Sequence, residues 1–282
     1  MISIQPRIRE ILQKSNQIPI IMGILNLSPE SPVSQSTVSV KKAKERAYEL
    51  VNQGATIIDV GGNSSSSKAR EISITEEKER VIPVIESLIE EEFIVSIDSW
   101  TPEVVLESAK IGIQLINDIN GLENPKMIKI AKDYNLQVSI MHMKGKPKKH
   151  YEVVQSYENI SFNINDWLME RTNDLLKNGL TRDQIIIDPG FGFGKGMENN
   201  LQILKDLHIF RKIGYPLLVS ASRKSFIAEA IGLGKVQQGE GLYEATLAIQ
   251  VIAALNEVNI LRVHDVRSTK IILKLLEAYK KI

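Results

Sequence analysis

The chain of 282 residues contains no cysteine. Disulfide bonds, zinc–thiolate sites and thiol nucleophiles are therefore excluded from its function. An excess of charge of either sign is also absent, because 35 basic side chains nearly balance 34 acidic ones. Proteins that bind nucleic acids or other polyanions usually carry a basic excess, so we expect no nucleic-acid partner.

Long apolar runs are missing as well. Each apolar run falls far short of the roughly 20 residues that a membrane-spanning helix requires. Residues 1–7 contain no apolar segment of the kind that signal peptides carry. We therefore expect no membrane partner, and we take the cytoplasm as the default location.

What the chain does contain is a regular alternation of short β-branched runs and longer amphipathic stretches. Most of the short runs are continuously apolar, which is typical of parallel strands that are buried on both faces. The predicted strands are 18–27, 56–61, 93–98, 114–118, 137–142, 184–188, 216–221 and 259–264. The predicted helices are 38–52, 75–91, 102–111, 124–134, 157–178, 199–212, 243–256 and 268–279.

Eight strand–helix units in a chain of this length predict a fold of the α/β class, the (β/α)8 TIM barrel. No linker, low-complexity tract or charged block divides the chain, so we expect one domain over residues 1–282. The alternative is a doubly wound open sheet, which usually has fewer strands and a topological switch point.

Residues 188–195 read Asp-Pro-Gly-Phe-Gly-Phe-Gly-Lys and follow the sixth predicted strand. Glycines allow the backbone to approach a ligand closely, while the phenylalanines offer flat apolar surface. The segment therefore suits a flat heteroaromatic ligand with hydrogen-bonding edges. It does not match a Walker phosphate loop, because Gly196 follows Lys195 where Ser or Thr is required. A glycine-rich connection without chemistry is the plain alternative.

Polar side chains stand at the carboxyl end of every predicted strand, where barrel enzymes build their sites. Strands one and eight, neighbours in a closed barrel, end in Asn26, Arg262 and His264. An arginine and a histidine beside an amide predict an anion site, most naturally for phosphate or diphosphate. A second set suits a ligand edge that mixes donors and acceptors: Asp98, Asn117, Asp188 and Lys224.

A binuclear metal site is the competing interpretation of these strand ends. Its ligands would be Asp59, Asp98, Asp118, Asp188, His142 and His264. Metal-dependent barrel hydrolases usually carry His-x-His at the end of strand one, but residues 24–26 read Ile-Leu-Asn. A Mg²⁺ shared with a diphosphate is favoured, with Asn26 as one ligand, because Mg²⁺ prefers substrate oxygens plus few protein groups.

The ordered motifs resemble those of the dihydropteroate synthase family of pterin-binding barrels. They are Met-Gly-Ile-Leu-Asn at 22–26, Asp-Val-Gly-Gly at 59–62, Ser-Ile-Asp at 96–98, Ile-Asn-Asp-Ile at 116–119, Met-His-Met-Lys-Gly at 141–145, the segment 188–195, Ser-Arg-Lys at 222–224 and Arg-Val-His-Asp-Val at 262–266. The resemblance covers almost the whole chain. It implies condensation of 6-hydroxymethyl-7,8-dihydropterin diphosphate with p-aminobenzoate, an arylamine, and release of diphosphate.

The resemblance also implies roles for individual residues. The pterin would contact Asp98, Asn117, Met141, Asp188 and Lys224. The diphosphate and its Mg²⁺ would contact Asn26, Arg262 and His264, with Asn26 as the metal ligand. The arylamine would be flanked by Ser65, Ser66, Phe193 and Ser225. The implied catalytic residues are Asn26, Asp98, Lys224, Arg262 and His264, with no evident Ser–His nucleophile pair. A homodimer formed by helices near the C-terminal units is implied as well.

Two loops depart from the family pattern. The first loop of the family carries an aromatic residue where this chain has Pro32. In the second loop, Ser65, Ser66 and Ser67 replace Thr, Arg and Pro, which removes a guanidinium charge and its stacking surface. A pterin-dependent enzyme with a different acceptor, such as a modified arylamine or a methyl carrier, is therefore one alternative. A non-catalytic pterin-binding paralogue is the other. Methyl-transferring relatives do not need the anion set of Asn26, Arg262 and His264, so these residues favour a diphosphate substrate.

Overall fold

Eight parallel strands form one sheet in the computed structural model, which describes residues 8–14, 18–31, 37–150, 152, 156–236 and 239–282. The strands are β1 (Ile20–Asn26), β2 (Ile57–Gly61), β3 (Val95–Asp98), β4 (Leu115–Asp118), β5 (Gln137–Met141), β6 (Ile185–Asp188), β7 (Leu218–Val219) and β8 (Ile260–Val263). Their order is β6-β5-β4-β3-β2-β1-β8-β7, and a bridge from Ile187 to Leu217 joins the outer strands. The predicted (β/α)8 barrel is confirmed.

Helices alternate with the strands around the barrel. They are α1 (Ile8–Lys14), α2 (Val40–Gln53), α3 (Ile74–Glu90), α4 (Pro102–Ile111), α5 (Pro125–Asp133), α6 (Ile160–Lys177), α7 (Met197–Lys205), α8 (Leu207–Arg211), α9 (Ser225–Ala230), α10 (Leu242–Leu255) and α11 (Val266–Tyr279). Short polar residues start several of them: the Ser73 side chain accepts from the Glu76 N–H at the start of α3. No helix among the described residues combines the length and the apolar character needed to cross a bilayer.

Most residues of the strands are apolar because each strand packs on two faces. One face points outward: Ile21 and Leu25 of β1 pack in the core between the barrel and its helices. The other points inward, where Ile20 and Met22 meet residues of other strands inside the barrel. Ile8 of α1 packs into this inner cluster, so α1 covers the amino end of the barrel. The carboxyl end is left for a site.

Four elements differ from the sequence prediction. The predicted helix 199–212 is divided into α7 and α8 at Asp206, whose carboxylate accepts from Ser161 and Gln202. The predicted strand 216–221 is reduced to two residues, partly because the Leu217 N–H donates to the Asn259 side chain instead of a strand backbone. Helices α1 and α9 were not predicted. The expectation of a single domain stays a prediction.

Candidate active site

A pocket opens at the carboxyl end of the barrel. Strand register explains how two pairs of predicted site residues meet there: Asp98 pairs with Asn117, and Met141 pairs with Asp188. Paired residues of parallel strands stand side by side on the sheet, so consecutive strands deliver consecutive side chains to one rim. The predicted residues that line the pocket are Asn26, Ser65, Asp98, Asn117, Met141, Asp188, Phe193, Lys224, Arg262 and His264.

Two predicted arylamine residues and one loop position lie elsewhere. Ser66 and Ser225 fall outside the set of described residues that line the pocket. The Ser66 hydroxyl accepts from the Lys68 N–H within its own loop, and Ser225 is the first residue of α9. Pro32, where the family has an aromatic residue, lies outside the described residues.

Arg262 is bound between two carboxylates at the base of the pocket. Its Nε donates to Asp59 Oδ2 at 2.6 Å, and its Nη2 donates to Asp98 Oδ2 at 2.5 Å. Asn117 Nδ2 donates to the same oxygen of Asp59 at 3.2 Å. Burial lowers the pKa of Arg262, but the attraction of Asp59 and Asp98 outweighs it and raises the pKa above its ordinary value. This network of hydrogen bonds and ion pairs therefore joins β2, β3 and β4 to β8.

Asp188 and Lys224 form the second charged part of the pocket. The Gly190 N–H donates to Asp188 Oδ1 at 2.7 Å, yet burial dominates and raises the pKa of Asp188 to about 6. Burial, assisted by the positive charge of Arg262, lowers the pKa of Lys224 to about 8. Lys224 Nζ lies 4.0 Å from the centroid of the Phe193 ring, a cation–π contact. An acceptor, a donor and an aromatic face thus converge, which suits a planar ligand with polar edges.

The segment 188–195 serves packing more than the sequence suggested. Gly190 has φ 73, and a Cβ there would lie 2.0 Å from the carbonyl oxygen of His142. Lys195 Nζ donates to the carbonyl oxygens of His142, Gly190 and Phe193 at 2.9, 2.7 and 2.9 Å. Gly190 and Lys195 therefore fix this loop against the one after β5. That packing in turn holds Phe193 at the pocket.

Two strand ends do not contribute to the common rim as predicted. The Asp118 carboxylate accepts from the N–H groups of Asn120 and Leu122 at 2.8 and 3.0 Å and so organises a turn. His142 packs edge-on against Trp167, with 5.3 Å between ring centroids. The binuclear metal interpretation loses these two ligands. No cluster of three or more His, Cys, Asp or Glu that could hold a metal occurs among the described residues.

The anion set, which consists of Asn26, Arg262 and His264, occupies the side of the pocket formed by β1 and β8. Asn26 Nδ2 donates to Ser31 Oγ at 3.1 Å, and His264 Nδ1 lies 2.9 Å from Ser222 Oγ. Burial lowers the pKa of His264 well below its ordinary value, and the charges of Arg262 and two neighbouring cations add to this. His264 is therefore neutral near pH 7 and can assist an anion as a hydrogen-bond donor, not as a cation.

Arg80 of α3 connects the loops that follow β1 and β2. Its Nη1 donates to the Gly62 carbonyl at 2.8 Å and contacts Glu30 at 3.3 Å, while its Nη2 contacts Glu76 at 2.7 Å. Burial raises the pKa of Glu30, but hydrogen bonds from Ser28 and Arg80 outweigh it and lower the pKa to about 2. Arg80 thus joins the two loops with unusual sequence through an ion pair to Glu30 and a hydrogen bond to the Gly62 carbonyl.

Several pocket residues were not predicted from the sequence. They are Ser28, Ser31, Asn63, Ser64, Trp100, Ile119, Ser220, Ser222 and Arg223. Asp59, considered from the sequence only as a possible metal ligand, lies directly behind them and binds Arg262. Most follow a predicted strand end by one or two residues, as Trp100 follows Asp98. Proximity to a strand end was the available signal.

A family model described as pterin binding enzyme matches residues 22–264, from the middle of β1 to the residue after β8. The chain belongs to the pterin-binding enzyme family. The predicted family membership is confirmed, and the loops after β1 and β2 lie inside the matched span.

Relatives in the family are close and cover nearly the whole chain. Dihydropteroate synthase of Escherichia coli (strain K12) is 39% identical over 262 residues, which are 92% of this chain and 91% of that one. A dihydropteroate synthase structure from Xanthomonas albilineans with 4-aminobenzoic acid has a TM-score of 0.84 at 32% identity, covering 94% of both chains. The Yersinia pestis enzyme in a sulfonamide complex has a TM-score of 0.85 at 33% identity, again covering 94% of both chains.

Proposed function

We propose that this chain is a dihydropteroate synthase, a transferase that condenses 6-hydroxymethyl-7,8-dihydropterin diphosphate with p-aminobenzoate and releases diphosphate. The observation that carries the proposal is one pocket that contains a mixed acceptor–donor set beside an anion set. The similarity to dihydropteroate synthases over more than nine-tenths of the chain supports it.

Each half of the pocket has a distinct task in this reaction. The Asp188 carboxylate would accept hydrogen bonds from the pterin edge, and the Asn117 amide would donate to it. Lys224 would approach the pterin ring from the side of Phe193. Arg262 and His264 would stabilise the negative charge that develops on the leaving diphosphate. Loss of diphosphate leaves a cation on the pterin methylene, which the amine attacks without a strong general base.

Mg²⁺ belongs to the proposal as a substrate-bound ion. An amide binds a cation through its oxygen, so Asn26 would contact Mg²⁺ through Oδ1, while its Nδ2 donates to Ser31. Asp59 and Asp98 are paired with Arg262, and no three-residue metal cluster is present in the part of the chain that the structure describes. The donors fit a Mg²⁺ held mainly by diphosphate oxygens and water, where it would neutralise charge on the leaving group.

The proposal also includes an acceptor site in which serines stand in for the guanidinium of the family. Ser65 lines the pocket opposite the rim that holds Phe193 and Lys224. A hydroxyl donates one hydrogen bond where a guanidinium offers five donors and a stacking plane. We therefore expect p-aminobenzoate to bind through Lys224, Phe193 and Ser65. Ser66 and the α9 residue Ser225 would contact it only after an inward movement of the segments that carry them.

The decisive assay measures diphosphate release from the pterin diphosphate with and without p-aminobenzoate. We expect turnover that depends on both substrates, and Asp188→Ala should abolish it. Asp183→Ala is the matched control, because Asp183 is half exposed and pairs with Arg9 at the opposite end of the barrel. Tight pterin diphosphate binding without p-aminobenzoate-dependent release would favour another acceptor or a non-catalytic protein.

A homodimer through α10 and α11 is part of the same proposal. Leu275 and Ile271 of α11 are 71% and 60% exposed, and Leu255 of α10 is 49% exposed, although all three are apolar. An apolar face on adjacent helices suits an isologous contact with a second copy. Leu275→Glu should yield monomers in sedimentation, whereas Phe162→Glu on α6 should not. A monomeric parent protein would contradict the proposal.

The cytoplasmic location stays a prediction. Fractionation of cells that produce the untagged protein would test it, since recovery with the membrane or secreted fraction would contradict it.

A further inference from the structure

Ser222 contacts both the backbone and the imidazole of His264. Its Oγ lies 2.9 Å from His264 Nδ1, and the backbone N–H of His264 donates to the same oxygen at 3.3 Å. Ser222 is only 5% exposed. The oxygen is therefore occupied on one side by a group that can only donate.

The proton on the hydroxyl needs an acceptor, and Nδ1 is the atom in place to accept it. If Nδ1 carried a proton, it would donate to Oγ, and the hydroxyl hydrogen would face no second acceptor within hydrogen-bond distance among the described residues. A buried donor without an acceptor is costly. Donation from Ser222 to Nδ1 satisfies every group in the contact.

We propose that Ser222 is a positioning residue that holds neutral His264 in the tautomer with its proton on Nε2, so that the ring presents an N–H donor to a diphosphate. The proposal rests on the function proposed for the anion set. A neutral imidazole has one N–H, so the hydrogen bond at Nδ1 decides whether Nε2 donates or accepts. Only a donor attracts a diphosphate oxygen. Ser222 acts here through His264.

A Ser–His contact was not expected from the sequence, and it also resembles a nucleophile with its base. The surroundings argue against that role. The cations Arg262, Arg223 and Lys224 surround His264 and oppose its protonation. Asp265, the carboxylate next to it in sequence, is bound to Arg223 through both oxygens at 2.9 and 3.0 Å. A base in such a pair needs a carboxylate that stabilises its imidazolium, and none of the described residues supplies one to this ring.

The tautomer can be measured directly by ¹⁵N NMR of the imidazoles in the full-length free protein. The chain has four histidines, and His264→Gln identifies the signal by its loss. We expect Nε2–H in the parent protein, a shift toward Nδ1–H in Ser222→Ala, and restoration in Ser222→Thr. The control is Ser220→Ala, because Ser220 Oγ lies 3.5 Å from Arg262 and should leave the His264 tautomer unchanged. Nδ1–H in the parent, or an unchanged tautomer in Ser222→Ala, would overturn the proposal.

The consequence for ligand binding is measured with inorganic diphosphate by calorimetry. Ser222→Ala should weaken diphosphate binding by about tenfold, the effect of one charge-assisted hydrogen bond. KM for the pterin diphosphate should rise, while KM for p-aminobenzoate should stay unchanged. Unaltered diphosphate affinity would overturn the proposal. The tautomer measurement does not depend on turnover, so absence of p-aminobenzoate-dependent release would refute the proposed function while leaving the role of Ser222 to the NMR result.

Discussion

Replacing Asp59 by alanine should destabilise the protein more than any single change at the open rim of the pocket. Asp59 is fully buried, and its Oδ2 accepts from Arg262 at 2.6 Å and from Asn117 at 3.2 Å. Removing one partner of a buried ion pair costs about 3–5 kcal/mol, because the other charge is left uncompensated. Asp98 still contacts Arg262 at 2.5 Å, so we expect the lower end, about 3 kcal/mol.

Asp59→Asn separates charge from shape. The amide keeps an acceptor for Arg262 but loses the negative charge, so the expected loss is about 1 kcal/mol, the difference between a charged and a neutral hydrogen bond. Urea unfolding followed by circular dichroism measures both variants. In a chain of this size, 3 kcal/mol corresponds to a fall in Tm of about 6 °C.

A double-mutant cycle identifies the source of the loss. If the Asp59–Arg262 contact is responsible, Asp59→Ala and Arg262→Met should be non-additive by about 2 kcal/mol. The control is Asp183→Ala, because Asp183 belongs to an exposed ion pair with Arg9. This change should lower the free energy of unfolding by less than about 0.5 kcal/mol. A loss below about 1 kcal/mol for Asp59→Ala, or additive effects in the cycle, would refute the reasoning.

Two further predictions concern the pH profile and the loop after β6. The carboxylate of Asp188 is lost as the pH falls through its pKa of about 6, and the ammonium of Lys224 is lost as the pH rises through its pKa of about 8. The profile of kcat/KM should therefore be bell-shaped between these values, and a profile that is flat across both would contradict their roles. Gly190→Ala should lower the thermal stability markedly, since its Cβ would lie 2.0 Å from the His142 carbonyl oxygen and φ is positive. Gly196→Ala should be tolerated, because its Cβ would meet nothing within 4 Å, and equal melting temperatures for the two variants would show that this packing is unimportant.

The fold was largely predictable because local pattern and global architecture agree. The apolar run of β1 packs Ile21 outward and Met22 inward, so continuous apolarity indicates a strand that is buried on both faces. The break at Asp206 and the short β7 could not be predicted in this way. Both depend on side-chain hydrogen bonds from other segments, as in the contact from Leu217 to Asn259.

Site residues were predictable as far as strand ends identify them. Asp98, Asn117 and Asp188 stand at carboxyl ends of parallel strands, and register alone places them on one rim. The side of the sheet to which each side chain points must be considered separately. Asp118 follows Asn117 by one residue and therefore points to the other side of the sheet, where it organises a turn. A polar residue at a strand end is thus a site candidate only when its position in the alternation faces the barrel.

The barrel, the family and the side chains available at the carboxyl rim could be inferred from the order of residues, because periodicity and ordered motifs are properties of the chain alone. The contacts that each of those side chains makes could be seen only in the folded chain. Arg262 meets Asp59 across 203 positions of sequence, and Lys195 turns away from the pocket to fix a loop. Such partners are set by packing between distant segments, and so are the burial that makes His264 neutral and the contact through which Ser222 orients it.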